Sequence, residues 1–424
     1  MTPEIKQRIE QIRRGEVPEG YVKKRKVVIP QQWGLPQIKD IASISSGSTP
    51  NRNNSEYWNG NIAWVTTGEL SSGHVNHTSE LITVKAVKET KMRIYPQGTL
   101  LMAMYGQGKT RGTVAILEID AAVNQACAAI TVKDGKSKFL FYQLKNSYQD
   151  IRKLSNTGNQ ENLNADIIKT YQVPWAPDEE QERISTILTT QDKVIELKEK
   201  RLAEKQRQKK YLMQQLLTGK KCLPGFSGEW KNIKLCEVLS ERKEKNVEQN
   251  LRICSVAVQK GVVDQVEHLG RSYAANDTSN YSVAHYGDII YTKSPTGDFL
   301  YGIVKQNLLQ ETVAVSPLYG VFTPLTFGLG YFLHTYFQSA ICARNYLLPI
   351  VQKGAKNTIN ITNDTFISSK LYLPLDVEEQ KAIADTFIAA DREIELLQQD
   401  IEQEKQKKKA LMQLLLTGIV RVKT

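Results

Sequence analysis

The sequence predicts an α+β protein: two similar globular domains separated by two long helices that form an antiparallel coiled coil, a pseudo-two-fold and circular repeat. Three observations predict this. Self-similarity at a long fixed period outranks any single-residue motif, and the block from Glu179-Glu180-Gln181 to Leu216-Leu217-Thr218-Gly219 recurs from Glu378-Glu379-Gln380 to Leu415-Leu416-Thr417-Gly418. The shift is 199 residues throughout (179 to 378, 219 to 418), and 17 of the 41 aligned positions are identical. The second copy carries apolar residues at alternating spacings of three and four, the mark of a helical seam, and the first keeps part of that seam. Between the copies lie short strand-like runs broken by Gly-, Asn- and Ser-rich turns.

Each element follows in order. Residues 1–30 form an N-terminal helical segment, a basic helix stopped by Gly15 with Pro18 and Gly20 beyond. Arg14-Gly15, Pro18 and Trp33 are echoed by Thr218-Gly219, Pro224 and Trp230, so this segment reads as the tail of a third, truncated helical block that completes the circular repeat. Residues 31–177 form the first globule, with strands at 63–67, 99–104, 113–117 and 128–132 and a helix over 139–152. Residues 178–221 are the central helical repeat, residues 222–376 the second globule, and residues 377–424 the C-terminal helical repeat. In the second globule a strand over 288–292 matches 99–103, and a helix over 330–343 matches 139–152.

The second helical copy places Ile383, Phe387, Ala390, Ile394, Leu397, Ile401, Leu411 and Leu415 on its seam, interrupted by Glu404 and Lys408. The first places Ile184, Leu188, Ile195, Leu202, Leu212 and Leu216 there, with Lys198, Lys205 and Lys209 at other seam positions. Polar seam residues lower stability but set register and partner. A helix of about 34 residues spans roughly 50 Å, which would hold the globules at a set distance.

With 424 residues and 41% hydrophobic content, the chain suits a soluble protein of two to three domains. Its net charge of +11 and pI of about 9.2 favour a polyanionic partner. The five cysteines are scattered and never spaced Cys-x-x-Cys, as expected of free thiols in a reducing compartment. The N-terminus has no apolar signal core, and the most apolar stretch, 318–333, is broken by Pro324 and too short to span a bilayer. A cytoplasmic location is expected.

The motifs of catalysis are missing from the sequence. It holds no Walker A loop, no Gly-x-Gly-x-x-Gly opening a helix, and no Asn/Asp-Pro-Pro-aromatic motif that would set a flipped base beside a methyl donor. His74 and His77 lack further ligands nearby and read as loop histidines. Asp376 with Glu379-Gln380-Lys381 superficially resembles a metal-dependent nuclease set. These residues crowd a helix start, however, and the first copy reads Glu180-Gln181-Glu182 instead; acidic residues there favour the helix dipole. No metal, cofactor or catalytic residue is therefore expected in this chain.

The Glu-Gln helix starts, the Leu-Leu-Thr-Gly helix ends and the whole architecture resemble the specificity subunit of type I restriction–modification systems, over essentially the full chain. The first globule carries Ser46-Gly47-Ser48-Thr49-Pro50, Tyr57-Trp58 and Ile62-Ala63-Trp64-Val65, similar to one class of target recognition domain. The second carries 277–281, 287–291 with Lys293-Ser294, and Ser316-Pro317-Leu318-Tyr319, similar to another class. The resemblance implies a non-catalytic DNA-recognition subunit in which each globule reads one half of a bipartite, asymmetric site and the helices set the gap. It implies two modification subunits, which use S-adenosylmethionine and dock on the repeats through Glu180, Gln181, Leu216, Leu217, Glu379, Gln380, Leu415 and Leu416. It further implies two motor–nuclease subunits using ATP and Mg2+. The dissimilar phrases of the two globules make unlike half-sites the expectation.

Base edges need donors and acceptors on loops, and phosphates need Lys, Arg and backbone amides. The DNA-contacting candidates of the first globule are Thr49, Asn51 and Arg52 in one turn, Gln107, Lys109, Thr110 and Arg111 in a glycine-flanked loop, and Asn159, Gln160 and Asn162 in another. Arg111 has the donors to read guanine, and Gln107 to read adenine. In the second globule they are Gln259 and Lys260, then Lys293, Ser294 and Thr296, then Lys353, Lys356 and Asn357. Lys205, Arg207, Lys209 and Lys210 on the helix, and the run 23–26, are weaker phosphate candidates beside the plain reading of solvated surface. Two other functions compete. A self-contained methyltransferase or nuclease is disfavoured by the missing motifs, and a coiled-coil scaffold by the globular bulk of the chain.

Overall fold

The computed structural model describes residues 2–106, 108–154, 162–226, 228–271, 277–353 and 359–422. Backbone contacts divide the chain into two units, one of residues 1–198 with 400–424 and one of residues 199–399. The division cuts both long helices, Asp178–Leu216 and Val377–Leu415, near their middles. Each unit therefore holds one globule together with half of each helix.

The first unit opens with the expected helix, Pro3–Arg13, ended by Gly15 at φ 81°. Its globule is built on a five-stranded sheet in the order Ala42–Ser46, Cys127–Val132, Leu100–Ala103, Val114–Leu117, His74–Val75. The first three neighbouring pairs are antiparallel and the last is parallel. A three-stranded sheet runs Glu80–Ile82, Trp58–Val65, Ala121–Val123, with Trp58–Val65 in the middle. The helix expected over 139–152 is two helices, Ser137–Asn146 and Tyr148–Lys153, parted at Ser147. Trp33, Phe139, Phe141, Ile184, Leu188, Met412, Leu415 and Leu416 share one core, so the helix halves belong to the globule's interior.

In the second unit a four-stranded sheet runs Leu239–Glu241, Gly320–Pro324, Ile289–Tyr291, Val304–Gln306. All its neighbours are antiparallel, repeating the pairing of the first four strands of the first unit. A second four-stranded sheet orders Gly261–Asp264, Arg252–Ala257, Val313–Val315 and Ser282–Ala284. The helix expected over 330–343 is again two, Phe327–Tyr336 and Ala340–Leu347, because the Ser339 hydroxyl accepts from the Cys342 amide and starts a new helix. Phe322, Phe332, Phe337, Phe366, Ile383 and Phe387 fill the core together with Leu216 and Leu217.

The helix halves run antiparallel within each unit, and the polar seam residues are paired across it. In the first unit Lys198 meets Asp400 and Glu404 at 2.8 Å each, and Lys408 meets Asp192. In the second, Lys205 meets Glu393 at 2.9 Å and Lys209 meets Asp391. Lys198, then Gln191, holds the Glu404 carboxyl down at about 2. A shift along either helix would separate these charges, so they specify register more than they add stability. Among the described residues, no helix is long and apolar enough to cross a membrane.

Candidate nucleic-acid interface

Strand direction decides where the candidate loops emerge. In the first unit the pairings Ala128↔Ser46, Cys127↔Ala103 and Met102↔Val114 put four strand ends on one edge of the five-stranded sheet. The turn after Ser46 and the hairpin loop 104–113 leave from that edge. Residues 123–126 bind them together, the Ser48 amide donating to Val123 O (3.0 Å) and Met104 to Ala126 O (2.8 Å); Leu163 in turn donates to Met104 O (2.9 Å). The Thr49 hydroxyl donates to the Gln125 side chain. Thr49, Asn51, Arg52, Lys109, Thr110, Arg111 and half-buried Asn162 thus stand on segments gathered at one sheet edge. Gln107, Asn159 and Gln160 lie outside the described residues.

The sequence around Tyr57-Trp58 and Trp64 builds the turn. Trp58 and Trp64 meet edge to face at 5.3 Å, and the Trp64 indole donates to Ser48 O (3.1 Å). Arg52 lies 4.1 Å over the Trp58 ring and is paired with Glu80, one of its nitrogens donating at 3.0 Å. Half of its side chain still faces solvent (53%). The stacking and the fork to Glu80 fix the guanidinium at the turn, with part of its edge left to solvent. Gly47 is required where it stands, because a Cβ there would meet Val123 O at 1.7 Å.

The hairpin loop has its own clamp. Arg152 donates to Arg111 O (2.7 Å) and Gly108 O (2.8 Å), and the Tyr148 hydroxyl donates to Lys109 O (2.6 Å). Gly106, Gly108 and Gly112 all have positive φ (129°, 63°, 82°), the conformation that makes glycine necessary. Lys109 is exposed, whereas Arg111 is only 7% exposed. The expectation that Arg111 reads guanine is not met by its exposure in this conformation: its side chain is largely covered, and Arg52 and Lys109 are the exposed cations. Sequence reading missed Arg152 and Tyr148, which carry no motif and act only through their place on the following helix.

In the second unit the hairpin between Ile289–Tyr291 and Val304–Gln306 is the counterpart, and it carries Lys293, Ser294 and Thr296. Lys293 has φ 59°, and burial holds its ammonium below the usual lysine range. Ser294 and Thr296 are exposed. Gln259 and Lys260 form the turn joining Arg252–Ala257 to Gly261–Asp264. That turn and Gly297–Phe299 of the hairpin line one open cleft of ≈ 1090 Å3, to which the long helices add Lys209, Lys210, Asp391 and Arg392. Lys353 lies on the short strand Gln352–Lys353, and Lys356 and Asn357 lie outside the described residues. Lys205 and Lys209 face acidic residues across the seam, and Arg207 pairs with Glu204, so these three are not spare phosphate ligands.

The residues expected to dock a partner are also corrected. Glu180 and Glu379 are 0% exposed, Gln181 and Gln380 are 1% and 7%, and Leu216, Leu217, Leu415 and Leu416 are at most 4%. They close each unit from within. The Trp33 indole donates to Glu180 (2.9 Å) and that of Trp230 to Glu379 (3.2 Å); Gln181 donates to Ala176 O (2.7 Å) and Gln380 to Pro374 O (2.9 Å). Their repetition reflects a duplicated internal joint.

Two loop sets of unlike sequence on a duplicated frame define a two-module recognition protein. The family model described as "type I restriction modification DNA specificity domain" matches residues 30–206 and again 229–406, and the chain belongs to that family. It is a DNA-specificity chain, the non-catalytic kind of component in such systems. The type I restriction enzyme MjaIX specificity subunit of Methanocaldococcus jannaschii is 34% identical over 178 residues, which is 41% of this chain and 40% of that relative. The MjaVIII specificity subunit of the same organism is 24% identical over 93% of this chain and 94% of its own length. The crystal structure of a type I restriction–modification S subunit from M. genitalium shares the fold, with a TM-score of 0.58 at 11% identity over 93% of this chain and 98% of that one.

Proposed function

We propose that this chain selects a bipartite, asymmetric DNA site, the first globule reading one half and the second the other, and that the long helices set the unread gap. The observation that carries this is the duplicated frame: one strand order, two different loop sets. In the first half the readers are Arg52, Thr49, Asn51, Lys109, Thr110 and Asn162. In the second they are Lys293, Ser294, Thr296, Gln259 and Lys260. Two modification subunits, binding S-adenosylmethionine, and two motor–nuclease subunits, binding ATP and Mg2+, would supply the chemistry in the cytoplasm, with this chain binding none of these cofactors. With the repeated glutamates and leucines buried, docking falls to the outer helix faces. Leu197 and Leu396 are 55% and 48% exposed and stand 199 residues apart, at matching places in the two copies.

The test is a genome-wide map of N6-methyladenine in cells expressing this chain with a modification subunit encoded beside it. A split motif that vanishes when this chain is deleted supports the reading. Methylation independent of this chain, with the partner expressed and bound, overturns it.

A further inference from the structure

One side-chain cluster is built twice. In the first unit the Tyr142 hydroxyl donates to Asp192 Oδ2 at 2.8 Å, and Lys408 pairs with Asp192 Oδ1. The Lys408 ammonium also lies 5.6 Å from the centre of the Tyr142 ring. In the second unit the Tyr331 hydroxyl donates to Asp391 Oδ2 at 3.0 Å, and Lys209 pairs with Asp391 Oδ1. Asp192 and Asp391 stand 199 residues apart, and so do Lys209 and Lys408; both pairs are identities of the repeat. The lysine side chains are 11% and 12% exposed. Each cluster joins three chain segments: the recognition globule's helix (Ser137–Asn146 or Phe327–Tyr336), one long helix bearing the aspartate, and the other bearing the lysine.

The roles of the two long helices are exchanged between the clusters. The first long helix gives the aspartate in the first unit and the lysine in the second, which is the two-fold logic of the repeat expressed in chemistry. The aspartates keep 31% and 34% of their side chains exposed; a partly buried ion pair of this kind adds little stability over an apolar pair of the same size, and its best-attested use is to fix register. The tyrosine adds a directional bond from the globule to a charge that the helix seam already holds in place.

We infer that Tyr142 and Tyr331 are positioning residues for DNA recognition, each locking the rotational setting of its globule on the helix pair and hence the place of its half-site relative to the gap. The inference rests on the bipartite reading above. A substitution at either tyrosine leaves the base-reading loops intact and moves the frame that carries them. Gap length is a geometric outcome of that frame, so the clamp acts on gap selectivity and leaves the half-site sequences unchanged.

The experiment uses the full chain with its modification subunit and compares Tyr142→Phe, Tyr331→Phe and the double variant by methylation mapping, alongside thermal melting. Phenylalanine keeps the packing and the ion pair and removes only the hydroxyl. The expected result is new methylation at sites whose gap differs by about one base pair, with both half-sites unchanged and additive in the double variant. Unchanged gap selectivity at normal methylation overturns the inference. A uniform loss at all sites with the gap unchanged overturns it too, because that is the mark of a merely structural bond. A parent chain that yields no split motif overturns the recognition reading and this inference together.

Discussion

In the first unit the buried Glu180 carboxylate receives the Trp33 indole at 2.9 Å and the Arg421 guanidinium at 2.7 and 2.8 Å. In the second, the equally buried Glu379 receives Trp230 at 3.2 Å on one oxygen, and the other oxygen has no partner among the described residues. The duplication copied the carboxylate and the tryptophan but not the cation: Arg421 maps 199 residues back to Cys222. In the first unit the same joint also gathers residues far apart in sequence, with Arg8 donating to Ile419 O (2.5 Å) and Tyr21 to Gly418 O (2.7 Å). Arg421 thus gives the Glu180 carboxylate a counter-charge at a joint where its repeat Glu379 has an oxygen without a partner among the described residues.

The largest test of this comparison is the indole itself. Trp33 is 1% exposed and packed edge-on against Phe139, so Trp33→Ala is expected to cost about 3–5 kcal/mol. Trp230 is only half-buried, and Trp230→Ala is expected to cost distinctly less. Hydrogen exchange resolved by unit would show protection lost in the first unit alone for Trp33→Ala. Loss spread evenly over both units would mean that the joints are not independent.

The next largest effect separates the carboxylates by sign. Glu180→Gln leaves Arg421 without its counter-charge and is expected to destabilise by about 1–3 kcal/mol. Glu379→Gln removes a buried charge with an unpartnered oxygen and is expected to be neutral or stabilising. Urea midpoints of the two variants would settle this, and equal losses would mean that Arg421 contributes nothing to the difference.

At the loops the comparison becomes one of function. Arg52 is the cation fixed at the first globule's turn, and the candidates of the second globule include no arginine. Arg52→Ala is expected to relax discrimination at a base of the first half-site by about 1–3 kcal/mol and to leave the second half-site intact. Competition binding against single-base variants of the site measures this; discrimination unchanged at every base would remove Arg52 from the readers.

The frame was legible in the sequence because duplication writes itself in residues that must be repeated. Both long helices, the N-terminal helix with its Gly15 stop, and the strands at 99–104 and 288–292 lie where periodicity and turn residues put them. What escaped was direction. Glu180, Gln181, Leu415 and Leu416 repeat as strongly as any surface would, yet they face inward, and repetition does not distinguish a joint from a docking face. Arg111 sat in the right loop, but the way that loop is held depends on Arg152 and Tyr148, which grip its backbone carbonyls from the following helix. The Tyr142–Asp192–Lys408 cluster was half visible: the aspartates and lysines are identities of the repeat, while the tyrosines shift by 189 residues rather than 199 and fall outside it.

The same shift of 189 sets Lys145 against His334, and here the units differ in their response to pH. His334 is buried, accepts from the Gln306 amide at 3.0 Å, and is driven well below the usual histidine range by burial, then by Lys305 and Lys209. Its folded ring stays neutral, so as pH falls below about 6.5 the unfolded chain takes a proton that the folded chain refuses. Stability of the second unit is expected to fall there by up to about 1.4 kcal/mol per pH unit. The contribution is fully present above pH 6.5. Lys305, whose ammonium burial holds at about 8, works higher: stability rises as pH climbs from 8 towards 10.5, where only the unfolded chain keeps the proton. Urea denaturation at pH 5.5 and 7.5 should show the acid slope in the parent chain and a flatter one in His334→Gln. Identical slopes would assign the acid sensitivity elsewhere.

The smallest effect contrasts two cations two residues apart. Lys109 is exposed and its backbone carbonyl is held by Tyr148, whereas Arg111 is buried. If Lys109 meets a phosphate, Lys109→Ala weakens binding alike for all sequences and lowers the slope of log affinity against log salt by about 0.9. Arg111→Ala should leave that slope unchanged and lower the melting temperature instead, because the side chain it removes belongs to the globule's interior. Binding measured across a salt series distinguishes them. A reduced slope for Arg111→Ala without loss of stability would show that the loop opens on DNA and turns Arg111 outward, returning to it the reading role that its place in the sequence suggested.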